Sequence, residues 1–102
     1  MMEAVQTIHP EKLEKVAFIL KTIAHPLRIG IVDLLSKRDK MMVNEITEAL
    51  GSEQSLISHH LTNMKLKGIL DSERDGKKVF YHLKMTEVTD VLACMDKCQA
   101  VL

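Results

Sequence analysis

Four residues in one short stretch carry groups suited to reading the edges of bases: Gln54, Ser55, Ser58 and His59. A glutamine amide donates and accepts side by side, which matches the exposed edge of adenine. Serine hydroxyls serve as donor or acceptor, and an imidazole N–H can donate to guanine or phosphate. At helical spacing these four share one side, opposite Ile57, Leu61 and Met64. A second group, Arg74, Lys77 and Lys78, sits in a charged segment and suits phosphate. A third group is Cys94 and Cys98, two thiols four residues apart and hence on one helix face. Glu87 projects between their directions. That face suits a thiophilic ion, a thiol switch, or a small buried hydrophobe, and the residues leave all three open. A disulfide within the helix would be strained, because Cα atoms four apart lie roughly 6 Å from each other.

The elements around these groups follow from periodicity. Gly51 ends a two-turn helix containing Ile46, Ala49 and Leu50, as a residue tolerant of left-handed backbone does. Ser52 suits the N-cap of the next helix, which spans about 53–67 and stops at Gly68. Alternation then changes to period two. Val79, Tyr81 and Leu83 point one way, Phe80 and His82 the other, and Asp75-Gly76 signals a hairpin turn within a wing of about 69–83. Upstream, residues 1–8 read as a flexible tail. His9-Pro10 opens a helix with Leu13, Val16, Ala17, Leu20 and Ile23 as its apolar stripe. His25-Pro26 ends it and starts another, with Leu27, Ile31, Leu34 and Leu35 inward. Met41-Met42-Val43 suits a very short strand. A last helix begins near Thr86, with Val88, Val91, Leu92, Met95 and Leu102 on one stripe. The fold is therefore mainly α with a small β-hairpin: a winged helix-turn-helix with an extra helix at each end, in one domain over 9–102.

The chain has 102 residues, 46% of them hydrophobic and only 3% aromatic, so its single core must be aliphatic. Formal net charge is zero, which places any attraction for phosphate in a local patch. Residues 65–78 provide one, with Lys65, Lys67, Arg74, Lys77 and Lys78 against Asp71, Glu73 and Asp75. No apolar run reaches membrane-spanning length, and the start lacks the pattern of a signal peptide. Both point to a cytoplasmic protein with reduced cysteines. Chemistry on a small substrate is not foreshadowed: there is no glycine-rich phosphate loop and no nucleophile with a matched base. Asp33, Glu45 and Glu48 read as solvated or capping charges. Among the five histidines only His59-His60 are adjacent, and side chains at that spacing diverge on a helix.

Several pieces in this order resemble the ArsR/SmtB family: Ala24-His25-Pro26-Leu27-Arg28, Glu45-Ile46-Thr47-Glu48-Ala49-Leu50, Gln54-Ser55 through Leu61, Lys67-Gly68-Ile69-Leu70, and Gly76 through Leu83. The resemblance covers nearly everything from Val16 onward. It implies a cytoplasmic homodimeric repressor, joined through its terminal helices, that binds palindromic operator DNA. It also implies release by a metal ion or by thiol oxidation in many members.

The family's usual sensing sites are incomplete here. One needs cysteines near Met41 to Ile46, where none occur. Another maps onto Met85, Glu87, Cys98 and Val101, of which only Glu87 and Cys98 are apt ligands. Thiol-responsive relatives pair a cysteine of the second helix with one of the last, and Asp33 stands at about the first position. A thiophilic metal at Cys94, Cys98 and Glu87 and a thiol sensor at Cys94 and Cys98 stand beside the absence of any such role. The other functional class open to this fold is a winged helix that docks protein. The small polar side chains at 54, 55, 58 and 59 disfavour it, since docking helices present larger apolar or aromatic anchors.

Overall fold

The computed structural model describes residues 8–97. The expected tail, apart from Ile8, and Cys98 and Leu102 lie outside the described residues. Five helices and three strands follow in the order α1 (Pro10–Thr22), α2 (Pro26–Lys37), β1 (Met41–Met42), α3 (Val43–Leu50), α4 (Gln54–Leu66), β2 (Leu70–Asp75), β3 (Lys78–Leu83) and α5 (Glu87–Asp96). This is the winged helix-turn-helix read from the sequence.

Both His-Pro pairs start helices as the proline logic requires. Each histidine also caps the helix it precedes. His9 Nδ1 accepts from Glu11 N at 3.3 Å, and His25 Nδ1 accepts from Leu27 N at 3.1 Å. Those bonds satisfy amide donors that a first helical turn leaves without an intrahelical partner.

The apolar stripe expected on α1 is rotated in the structure. Ile19, Thr22 and Ile23 are the buried residues, whereas Leu13 is 50% and Leu20 is 47% exposed. Ala17 is exposed as well. The fully buried residues of α1 lie in its second half, so the domain core selects 19, 22 and 23 and leaves Leu13 and Leu20 facing outward.

The short β1 pairs with β3, which also pairs with β2, so the sheet is three-stranded with order β1-β3-β2, antiparallel throughout. Met41 lies opposite Tyr81, and Leu70 opposite Leu83. Val43, expected to belong to the short strand, is instead the first residue of α3. Glu45 fixes that start by accepting from Met42 N at 2.8 Å. Gly51 ends α3 with φ 63, a left-handed conformation that costs a side-chain-bearing residue more than glycine.

Ser52 does not cap α4. The chain stays extended through Glu53, the N-cap residue, and no side chain caps the helix. The helix therefore begins at Gln54, one residue later than expected. Two residues, Gly76 and Lys77, link β2 to β3. Gly76 has φ 66, and no non-glycine residue has positive φ among those described, which are the signs of a II′ turn.

The core gathers Ile19, Ile23, Ile31, Val32, Leu35, Met41, Ile46, Ile57, Leu61, Met64, Ile69, Leu70, Val88 and Leu92 from every helix and all but one strand. Helix α4 supplies three of them, each fully buried. Burial of such side chains stabilises by about 1.5–3 kcal/mol apiece. A helix of 13 residues is marginal alone in water, so this packing both forms α4 and fixes which of its faces remains outside.

Candidate nucleic-acid interface

With Ile57, Leu61 and Met64 turned inward, α4 presents the opposite face to solvent. Gln54, Ser55 and His59 are exposed, and Ser58 is half-buried at the margin of that face. The outward centre runs along Ser55, His59 and Thr62, at helical spacing. Thr62 is exposed and was missed in the sequence reading, although the period that singled out Ser55 and His59 leads to it. Leu56 is also 41% exposed in the first turn, an apolar group of the kind that meets a thymine methyl.

The wing places its cations beside this helix. Gln54 from α4 and Lys77, Lys78 and Val79 from the wing line one open cleft, together with Met42, Val43 and Asn44. The structure thus brings Gln54, Lys77 and Lys78 together across more than twenty positions of sequence. Asn44 joins them, and nothing in its sequence context marked it. Arg74 is exposed on β2, opposite Val79 of β3, and stands outside that cleft.

Two other cations of the region, Lys40 and Lys65, are engaged locally. Lys40 pairs with Glu73 at 3.2 Å and lies 4.8 Å from the centre of the Phe80 ring. Lys65 Nζ donates to Ser72 Oγ at 2.6 Å, tying the end of α4 to β2. The Ser72 amide donates to Asp71 at 2.8 Å, and that bond holds the Asp71 carboxyl below its ordinary range. Lys77 and Lys78 make no ion pair among the described residues.

His60 turns away from the exposed face and is 5% exposed. Its Nδ1 accepts from Arg28 Nε at 2.9 Å. The same guanidinium donates through NH1 to the Thr22 carbonyl at 2.9 Å. Arg28 therefore ties α1 to α4 through hydrogen bonds and not through a salt bridge. The His25 ring lies 4.5 Å from that of His60, tilted by 45°, and the His59 ring lies 5.7 Å away. Burial, then the neighbouring Arg28, His25 and His59, push the His60 pKa down.

The sensing candidates lie elsewhere, on α5. Cys94 is exposed, and its intended partner Cys98 lies outside the described residues. Glu87 forms an ion pair with Lys15 of α1. Hydrogen bonding from Lys15 lowers the Glu87 pKa, so a metal ion would have to displace an ammonium to reach this carboxylate. Among the described residues, no three metal-ligating side chains converge. No helix among them is long and apolar enough to cross a membrane.

Comparison with known proteins agrees with this geometry. The model of the family "Bacterial regulatory protein, arsR family" matches residues 25–72. The chain is 34% identical over 87 residues to the transcriptional repressor PagR of Bacillus anthracis, covering 85% of this chain and 87% of PagR. It is 33% identical over 82 residues to the HTH-type transcriptional regulator YgaV of Escherichia coli, covering 80% and 83% respectively. The crystal structure of PagR superposes with a TM-score of 0.75 at 33% identity, covering 85% of this chain and 99% of that one. HlyU from Vibrio cholerae gives a TM-score of 0.78 at 25% identity, covering 90% and 99%. These relatives are regulators of transcription, and they favour DNA binding over the protein-docking class. The chain belongs to the arsR family of bacterial regulatory proteins and is a DNA-binding transcriptional regulator, not an enzyme.

Proposed function

We propose that the protein is a cytoplasmic homodimeric repressor that reads a palindromic operator. In this reading α4 enters the major groove. Gln54, Ser55, Ser58 and His59 address base edges, while Arg74, Lys77 and Lys78 hold phosphates on either side. One observation carries it: Gln54 shares a cleft with Lys77 and Lys78, so base-reading and phosphate-holding groups face one surface. The dimer is supported by α1, whose Leu13 and Leu20 are about half exposed, more apolar surface than a helix normally leaves to water. A two-fold axis through the terminal helices would set two copies of α4 about one DNA turn apart.

The test is titration of the purified, reduced protein against its own upstream DNA and a random duplex of equal length. Operator preference, a two-fold symmetric footprint and a dimeric mass support the reading. Equal affinity for both duplexes sinks it. Parallel arms with an oxidant and with thiophilic ions address Cys94 and Cys98. Release of operator by one arm, lost in a Cys94→Ser/Cys98→Ser variant, assigns the signal to those thiols.

A further inference from the structure

Arg28 and His60 are used by neither the reading face nor the wing, yet they connect three helices at one point. Arg28 comes from α2, His60 from α4, and the Thr22 carbonyl closes α1. The guanidinium spans the last two, with bonds of 2.9 Å on each side. His60 is the only residue through which α4 is tied by a side-chain hydrogen bond to α2 among the described residues. Its exposed neighbour His59 belongs to the reading face.

We propose that Arg28 and His60 are positioning residues for DNA recognition: Arg28 holds α4 at its working pitch through Nδ1 of a neutral His60, so that acid releases the helix and lowers operator selectivity. The inference rests on the operator-reading role of α4 proposed above. Its chemistry follows from the donor count. Arginine can only donate, so Nδ1 must accept and carries no proton, and the ring is neutral with its proton on Nε2. Nε2 is buried and has no hydrogen-bond partner. A proton added at Nδ1 would remove the acceptor that Arg28 uses and set a second cation against the guanidinium.

The charged and titratable groups acting on the ring are Arg28 and His25 from the α2 side and His59 from α4 itself. All three disfavour a cation on the His60 ring. Neither α3 nor β2, which also pack on α4, adds a carboxylate to that set. The folded protein therefore resists protonation of His60 and favours its neutral form.

The experiment measures the ratio of operator to random-duplex affinity between about pH 7.5 and about pH 5.5. Using a ratio cancels the general gain in phosphate attraction as histidines become charged. The variants are His60→Asn and Arg28→Lys, in the full chain. The asparagine oxygen lies the same number of bonds from Cα as Nδ1, and it accepts without titrating. Lysine offers one compact ammonium in place of the fork that spans two acceptors.

Wild type should lose selectivity by about tenfold across that range as acid competes with Arg28 for Nδ1. His60→Asn should keep wild-type selectivity at the upper pH and hold it flat, and Arg28→Lys should be weakly selective throughout. Identical pH profiles for wild type and His60→Asn would overturn the inference, as would full selectivity in Arg28→Lys. No selectivity in wild type at the upper pH would instead overturn the operator reading, and the inference with it. Imidazole nitrogen resonances give a readout independent of any variant's folding: His60 should show the Nε2-protonated neutral tautomer at pH about 6.5. A doubly protonated ring there overturns the proposal.

Discussion

Removing Lys78 should change how binding responds to salt more than it changes which sequence is bound. The side chain is exposed at the wing, makes no ion pair among the described residues, and borders the cleft that holds Gln54. Each phosphate neutralised contributes about 0.9 to the slope of log affinity against log salt. A dimer has two wings, so Lys78→Ala should flatten the slope by about 1.8. Between about 50 and 200 mM salt, wild type should then lose about twelvefold more affinity than the variant. Lys40→Ala is the control. Its ammonium is already committed to Glu73 and stacked over Phe80, so the slope should hold. Fluorescence anisotropy on operator and random duplexes across the salt series reads both quantities. An unchanged slope in Lys78→Ala, or an equal flattening in Lys40→Ala, would refute the assignment of the wing as the phosphate-binding element.

Gln54→Ala should cost about 1–3 kcal/mol of operator discrimination in competition binding while thermal unfolding stays as in wild type. Leu61→Ala removes a fully buried side chain that holds α4 to the core. It should destabilise the fold by about 2–5 kcal/mol in urea unfolding, and a loss below half of that range would mean that α4 is packed less tightly than the structure shows. Leu20→Glu places a charge on the outward stripe of α1, where the side chain is 47% exposed. It should leave the monomer fold intact, convert the dimer to monomer in sedimentation, and abolish cooperative operator binding. A dimer that survives the substitution would place the subunit interface elsewhere.

The fold was legible because its punctuation is strong. Two His-Pro pairs, Gly51, Gly68 and Gly76 mark element ends through backbone constraints that act locally, and the period of Ile57, Leu61 and Met64 shows which side of α4 is buried. The reading failed where two apolar stripes compete on one helix. On α1 the period picks out Leu13, Val16, Ala17, Leu20 and Ile23, yet of these the domain fully buries only Ile23, beside Ile19 and Thr22. Periodicity reports that a face is apolar and cannot report which surface covers it. Ser52 misled for a related reason. Its type favours an N-cap, but the extended backbone continues one residue past it, and helix start is set by tertiary packing more than by a cap of about 1 kcal/mol. Thr62 follows from the same period as Ser55 and His59, whereas Asn44 carried no sequence signal of its own. It enters the site through geometry, because β1 pairs with β3 and so brings the start of α3 beside the wing.

A chain of zero net charge binds a polyanion only if its charges are sorted in space, and the hydrogen bonds show how the sorting is done. In the wing, the carboxylate of Glu73 is paired with Lys40 and that of Asp71 with its own following amide. Each is thereby satisfied by a group that points no free cation at DNA. Lys77 and Lys78, at and just beyond the turn, make no ion pair among the described residues and line the same cleft as Gln54. Other carboxylates, Glu87 and Asp90, border the cavity between α1 and α5, where Lys15 pairs with Glu87. The Debye length at physiological salt is about 8 Å, so a carboxylate farther than that from the wing repels a phosphate there only weakly. On the reading proposed above, what attracts DNA is the local balance at the wing tip, Arg74, Lys77 and Lys78 against Asp75, which is positive. On that reading the small excess leaves discrimination to the geometry of α4, whose pitch decides which sequence is accepted.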